Sequence, residues 1–489
     1  VSNILTRNRL SGVSLLAGIL FLPEGGLANP DLLQGNEPVE SARTLRMEDL
    51  NKKQTGPARP HAGMAPVPHA PKPVTHPDIV PSGKNGTAYW DGITVHLTVE
   101  AGIAANPWTK SGRNFAQFYT DRANTVVLNQ IVGSISHPVT DIGSGYGVGF
   151  MLELMYGSDS RFIPTIGMAD GILTGLYQLV PLQTHIDFHT PWLVPRGMDF
   201  QIGQIFGMLG TEGTSALTRP FYTYSYAADY IVPFETIGIM STTHLSDKLD
   251  WILGMDAGNS TSFGNAGNNN RPKGTVGIAF SHLMNGKLDG HLIGHFGPQA
   301  NNSLPVTSAE GWTSAGMGRI ANDLMQYNAD FLLTYHLSDK MSVMLDTIYM
   351  HDDANRDDLY GFITYFSWDL NPSLRLNLRG EIFRDNTGAV IAAYEGTTSN
   401  LNAIRNRPFA YYIAPPTTYG ALTAGVTYQP DFVNRHLKLG KFTIRPEIRL
   451  DKSLNGTHPF NRGATVADPV VRNGTNNMFW FSCDAIWSF

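Results

Sequence analysis

Four histidines, His244, His291, His295 and His336, lie in stretches that alternate apolar and polar residues. A histidine is the usual general base, and with a Ser and an Asn it could serve a barrel phospholipase. The sequence sets no nucleophile beside any of the four. His291 and His295, in "HLIGH", have the spacing of a helical zinc pair but lack the Glu of HExxH. On a strand they would share a face about 13 Å apart. His61, His69 and His76 recur in a Pro-rich tract that preorganises no coordination geometry. These residues therefore lead us to expect no catalytic site, no metal and no cofactor.

The second chemical group is charged. Arg375, Arg379 and Glu381 alternate with Leu374, Leu376, Leu378 and Ile382 in "SLRLNLRGEI". Arg445, Glu447, Arg449 and Asp451 alternate with Phe442, Ile444, Ile448 and Leu450 in "FTIRPEIRLD". Asp330 and Asp346 occupy comparable positions. A period of two places such a set on one face of a strand. If that face bounds an aqueous lumen, the nine residues are pore-lining candidates. The arginines would form a basic wall, and opposed charges would set a transverse field that selects polar solutes. The plainer expectation is that these groups solvate the lumen and pair locally.

The elements that must position them are strands of about ten residues, longer than soluble sheets normally use and suited to crossing a bilayer at a tilt. Sixteen are expected, near 93–101, 126–136, 147–156, 182–190, 197–207, 234–245, 249–257, 274–283, 287–297, 326–337, 341–351, 359–370, 373–384, 419–429, 441–451 and 477–489. Pro and Gly breaks before residue 197 leave fourteen to eighteen open. "HLSDKL" and "HLSDKM" recur as short turns, and "HLMNGKL" carries the hairpin pair Asn285-Gly286. Long polar connections fall between these turns. That alternation fits an all-β fold, a closed antiparallel transmembrane β-barrel with short periplasmic turns and long extracellular loops. Closure also removes the edges of so large a sheet. The connections Gly297–Leu324 and Asn386–Thr418 are long enough to fold inward.

The ends of the chain read differently from its middle. Arg7 and Arg9 precede the apolar run Leu10–Leu22, with Gly26-Leu27-Ala28 as a small-residue cleavage site, so residues 1–28 are expected to be a signal peptide. Residues 29–90 read as a flexible periplasmic Pro/His-rich segment, and 91–489 as the barrel. No later run is long and apolar enough for a helical span. In "NMFWFSCDAIWSF", Phe479, Phe481, Cys483, Ala485, Trp487 and Phe489 are expected to face lipid, with Ser482 and Asp484 facing the lumen. Trp251, Tyr335, Tyr349, Trp368 and Trp487 would suit interfacial girdles.

Among the chain's 489 residues 16% are charged and the net charge is −6, which argues against nucleic acid as a partner. The single Cys excludes an intrachain disulfide.

"GYGVGFMLELMYGSDSRF" (Gly145–Phe162), "GMDFQIGQIFGMLGTEG" (Gly197–Gly213), "FYTYSYAADYIVPFETIGI" (Phe221–Ile239) and "LRLNLRGEIFRDNTGA" (Leu374–Ala389) follow one another in series. This succession resembles the beta-barrel porin-2, OmpL-like, family over roughly residues 90–489. The resemblance implies a bacterial outer-membrane porin with no catalytic residues. Its partners would be outer-membrane lipid and small hydrophilic solutes, with a homo-oligomer left open. The terminal Phe489, with Trp487 and Phe481, resembles the signal read by the barrel insertion machinery. A structural or adhesive barrel binding surface polymers is the alternative.

Overall fold

The computed structural model describes residues 92–489 apart from 110–111, 140–144, 169–174, 264–270, 300–321, 354–356, 389, 394–414, 434–439 and 462–473. The expected export segment 1–28, the Pro/His-rich tract 29–90 and much of Gly297–Leu324 and Asn386–Thr418 lie outside the described residues.

Sixteen strands form one closed barrel in sequence order. They are β1 (Thr94–Ala105), β2 (Val126–His137), β3 (Gly147–Gly157), β4 (Gln178–Thr190), β5 (Met198–Phe206), β6 (Glu235–His244), β7 (Leu249–Asp256) and β8 (Lys273–His282). There follow β9 (Leu288–Pro298), β10 (Met325–Ser338), β11 (Met341–Asp352), β12 (Asp357–Asn371), β13 (Leu374–Asp385), β14 (Thr417–Tyr428), β15 (Lys441–Ser453) and β16 (Asn477–Ser488). Each expected strand coincides with one of these within a few residues. Every pairing is antiparallel, and β1 meets β16 in the register Thr98↔Ser488 to Ala105↔Phe481, so no edge remains. Among the described residues no helix is long and apolar enough to cross a membrane.

Alternation decides which face points where. On β10, Tyr327 and Phe331 are exposed on the outer face, while Asp330 and Leu332 are buried inside. On β16, Phe479, Phe481, Cys483, Ala485 and Trp487 lie outward, and Trp480, Ser482 and Asp484 inward, as the period-two pattern requires. Trp251, Tyr335, Tyr349, Trp368 and Trp487 all stand on the outer face. A continuous apolar exterior over a polar interior reverses the arrangement of a water-soluble sandwich and is what a lipid-embedded barrel needs.

The β8–β9 turn departs from expectation. Met284, Asn285 and Gly286 all take left-handed φ values (50°, 61° and 85°), so the bend is wider than a two-residue Asn285-Gly286 turn. The Asp289 carboxylate draws it in by accepting the His282 N–H at 2.8 Å.

The interior is packed rather than empty on its long-loop side. The β5–β6 connection, residues 207–234, runs into the barrel and ends in a short helix, α1 (Tyr226–Tyr230), capped by the Ser225 hydroxyl, which accepts from the Ala228 N–H. The β1–β2 connection packs against it. Phe118 stacks on Phe162 with centroids 5.3 Å apart and meets Tyr230 at 4.9 Å, while Tyr119 meets Tyr224 at 4.3 Å. An aromatic cluster therefore fills space that sixteen strands would otherwise leave open.

Candidate functional site

The segment Gly207–Phe234 is held by charged groups on the barrel wall. At its start, the Gly210 N–H donates to Asp330 Oδ2 at 2.6 Å, and the Thr211 hydroxyl to Asp346 Oδ2 at 2.8 Å. Glu212 pairs with Arg379 and also accepts the Ser225 N–H at 2.6 Å. Arg219 reaches across to β1, where both its contacts to Glu100 are short (2.7 and 2.8 Å).

The stretch Tyr222–Ala227 is gripped along its backbone. Glu447 accepts the N–H groups of Tyr222 and Thr223 at 2.8 and 3.1 Å. Glu381 accepts those of Tyr226 and Ala227, both at 2.9 Å. Arg379 donates to the Thr223 carbonyl at 2.8 Å, and Arg449 donates to that of Tyr224. The Tyr226 hydroxyl donates to Asp451 at 2.7 Å, and the Tyr222 hydroxyl to Asn129 on β2 at 2.9 Å. Buried carboxylates and guanidinium groups thus satisfy peptide groups that would be costly to enclose unpaired. The Tyr222 ring also lies flat on the wall. A Cβ at Gly102 would come within 2.5 Å of it, so only glycine leaves room there.

Of the nine charged candidates, eight meet around this segment: Asp330, Asp346, Arg379, Glu381, Arg445, Glu447, Arg449 and Asp451. Arg445 donates to the carbonyls of Ala216 and Arg219 and pairs with Asp484 and Glu100. Arg449 pairs with Asp451 at 2.8 Å. Arg375 stands apart, near the tight-turn end of β13, where it makes a two-pronged contact to Asp369 (2.6 and 2.9 Å). Arg379, Arg445 and Arg449 are at most 3% exposed, so the guanidinium groups are structural partners of the segment and do not form an open basic wall.

The histidines singled out as candidate bases all face aspartates on the inner wall. His291 contacts Asp330 at 2.7 Å and His295 contacts Asp256 at 3.0 Å. His244 bridges Asp199 and Asp250, and His336 meets Asp289. His291 and His295 share a strand face but approach different carboxylates. Among the described residues no group of three or more His, Cys, Asp or Glu is placed to hold a metal ion.

Sequence reasoning missed the segment itself, together with Glu100, Glu212 and Arg219. A signal was present: "YTYSY" alternates tyrosine with small hydroxyl residues as a half-buried extended chain would. It lies between β5 and β6 in a connection too long for a turn.

The fold is similar to solved outer-membrane proteins. The anion-selective porin from Comamonas acidovorans matches with 11% identity and a TM-score of 0.48, over 81% of this chain and 99% of that one. The outer membrane channel DcaP of Acinetobacter baumannii matches with 11% identity and a TM-score of 0.48, over 83% and 99%. Pseudomonas putida OprB matches with 12% identity and a TM-score of 0.45, over 81% and 94%. No curated protein matches the sequence. The family model described as "Putative beta-barrel porin-2, OmpL-like" matches residues 92–489, and the chain belongs to that family, as a bacterial outer-membrane β-barrel porin.

Proposed function

We propose that small hydrophilic solutes diffuse passively through this barrel and that the segment Gly207–Phe234 sets the constriction they must pass. The observation that carries this reading is the anchoring of the segment across the barrel, to β1, β10, β11, β13 and β15. A flexible loop would not need six wall charges to hold its backbone. A fixed segment narrows a sixteen-stranded lumen to a defined bore without closing the sheet any differently.

The pore-lining candidates then act in two ways. Arg379, Glu381, Arg445, Glu447, Arg449 and Asp451 shape the path by fixing the segment. Asp330 and Asp346 each hold the segment with one carboxylate oxygen and leave the other without an N–H or O–H donor. In this reading residues 1–28 direct export, residues 29–90 lie in the periplasm, and Phe481, Trp487 and Phe489 address the chain to the insertion machinery. The channel has no catalytic role.

The test is the conductance of the purified protein in planar bilayers, with and without residues 29–90. Ion-permeable openings are expected from both forms. If neither opens at any voltage, diffusion through the barrel is wrong.

A further inference from the structure

Building on this porin reading, we infer that the lumen prefers cations to anions. The described residues that are buried include nineteen Asp and Glu but only six Lys and Arg. The strand-borne members of both sets occupy inward positions, because the alternate positions form the apolar exterior. The chain's modest net charge of −6 therefore conceals a larger surplus of carboxyl over basic side chains inside the barrel.

Pairing sharpens the imbalance. The five buried arginines are each matched to a carboxylate: Arg161 to Asp121, Arg219 to Glu100, Arg379 to Glu212, Arg445 to Asp484 and Arg449 to Asp451. A close ion pair contributes little field at distances well beyond its own separation. What a passing ion feels is set by the carboxylates left over.

Several of those lie on the wall formed by β10, β11 and β12. The second oxygens of Asp330 and Asp346 are enclosed without an N–H or O–H donor. Asp330 and Asp346 are within hydrogen-bond reach of each other. Asp357 stands directly opposite Asp352 across the β11–β12 ladder. Two carboxylates at such range call for a proton or a cation between them. The buried Lys273 reaches this wall only through a neutral side chain: its ammonium donates to Asn259 and Gln326, at 3.0 and 2.9 Å, and Gln326 donates to Asp352 at 3.1 Å. His244, His291, His295 and His336 stand beside aspartates of the same inner wall. In a lumen bounded by low-dielectric walls, an uncompensated negative balance concentrates cations and repels anions.

The experiment is a reversal-potential measurement in a potassium chloride gradient across a planar bilayer. The potential should take the sign of the potassium equilibrium potential and shrink as total salt is raised, because screening shortens the reach of the fixed charge. Asp330→Asn combined with Asp346→Asn should shift it toward zero. A wild-type potential at zero, or toward chloride, overturns cation preference while leaving the pore intact. Loss of all conductance would instead remove the pore, and the preference with it. Because the salt series uses the wild-type protein, the inference stays exposed to refutation even if the double variant fails to fold.

Discussion

Glu381 accepts two consecutive backbone N–H groups, those of Tyr226 and Ala227, while Arg379, two residues earlier on β13, donates to the carbonyl of Thr223. Residues i and i+2 share one face of a strand about 6–7 Å apart. One strand can therefore present an acceptor and a donor to the same extended segment. β15 repeats the arrangement with Glu447 and Arg449, gripping Tyr222, Thr223 and Tyr224. The segment is thus docked through its backbone, which fixes its path across the lumen.

Arg379→Ala is the direct test of that docking. It would leave Glu212 buried without its partner, and losing one member of a buried pair costs about 3–5 kcal/mol. The expected result is a larger, noisier single-channel conductance and new protease cleavage within residues 207–234. Glu381→Gln keeps an acceptor but loses the charge, so a smaller change in the same direction is expected. An Arg379→Ala channel with unaltered conductance and protection would mean that the segment does not set the bore.

Gly102 and Tyr222 supply a second, independent handle. Gly102→Val forces a side chain into the tyrosine ring, and such overpacking costs about 1–3 kcal/mol. Tyr222→Ala removes the ring together with its hydroxyl bond to Asn129. The double variant should be more stable than the sum of the two single losses, because the valine then occupies the vacated space. Thermal unfolding of the four proteins in detergent measures this coupling. Strict additivity would show that the ring does not sit on Gly102.

These two tests also mark the limit of what the sequence discloses. The sixteen strands and their outward faces were legible because period-two alternation is local: Tyr327, Phe331, Leu378 and Ile448 report their orientation through their neighbours. The places of the tight turns were legible for the same reason, but not the shape of the β8–β9 turn, where Met284 joins Asn285 and Gly286 in the left-handed region. The partners of the inward charges were not, because Arg219 and Glu100 are far apart in sequence and no local rule joins them. Arg375 and Arg379 look equivalent in "LRLNLRGEI", yet one meets Asp369 across a hairpin and the other meets Glu212 from a distant connection. Net pore charge follows from such pairings, so selectivity was hidden while the barrel was plain.

Cys483 and Asp484 test orientation and docking together. Cys483 faces outward, so in membranes it should resist water-soluble thiol reagents until the barrel is unfolded. A simple open lumen would make Asp484→Cys freely reactive. In the structure Asp484 is only 1% exposed and lies under Arg445, which also holds Ala216 and Arg219. Asp484→Cys should therefore label slowly and become faster when Arg379→Ala loosens the segment. Rapid labelling of Cys483 in intact membranes would reverse the assigned faces of β16.

Phe489 closes the seam of the barrel. Its N–H donates to the Leu97 carbonyl at 2.8 Å, its own carbonyl accepts the Leu97 N–H at 3.4 Å, and its ring stacks on Trp487 with centroids 5.6 Å apart. Deleting Phe489 removes both backbone bonds, whereas Phe489→Ala keeps them and removes only the ring. Each ordinary hydrogen bond is worth about 0.5–1.5 kcal/mol net, so deletion should lower the unfolding midpoint of the refolded barrel more than alanine does. If the terminal aromatic is also what the insertion machinery reads, Phe489→Ala should still reduce the amount of folded barrel recovered from outer membranes. Normal recovery of Phe489→Ala alongside a destabilised deletion would confine the role of Phe489 to the seam. Reduced recovery of Phe489→Ala, with an unfolding midpoint close to wild type, would place its role in delivery.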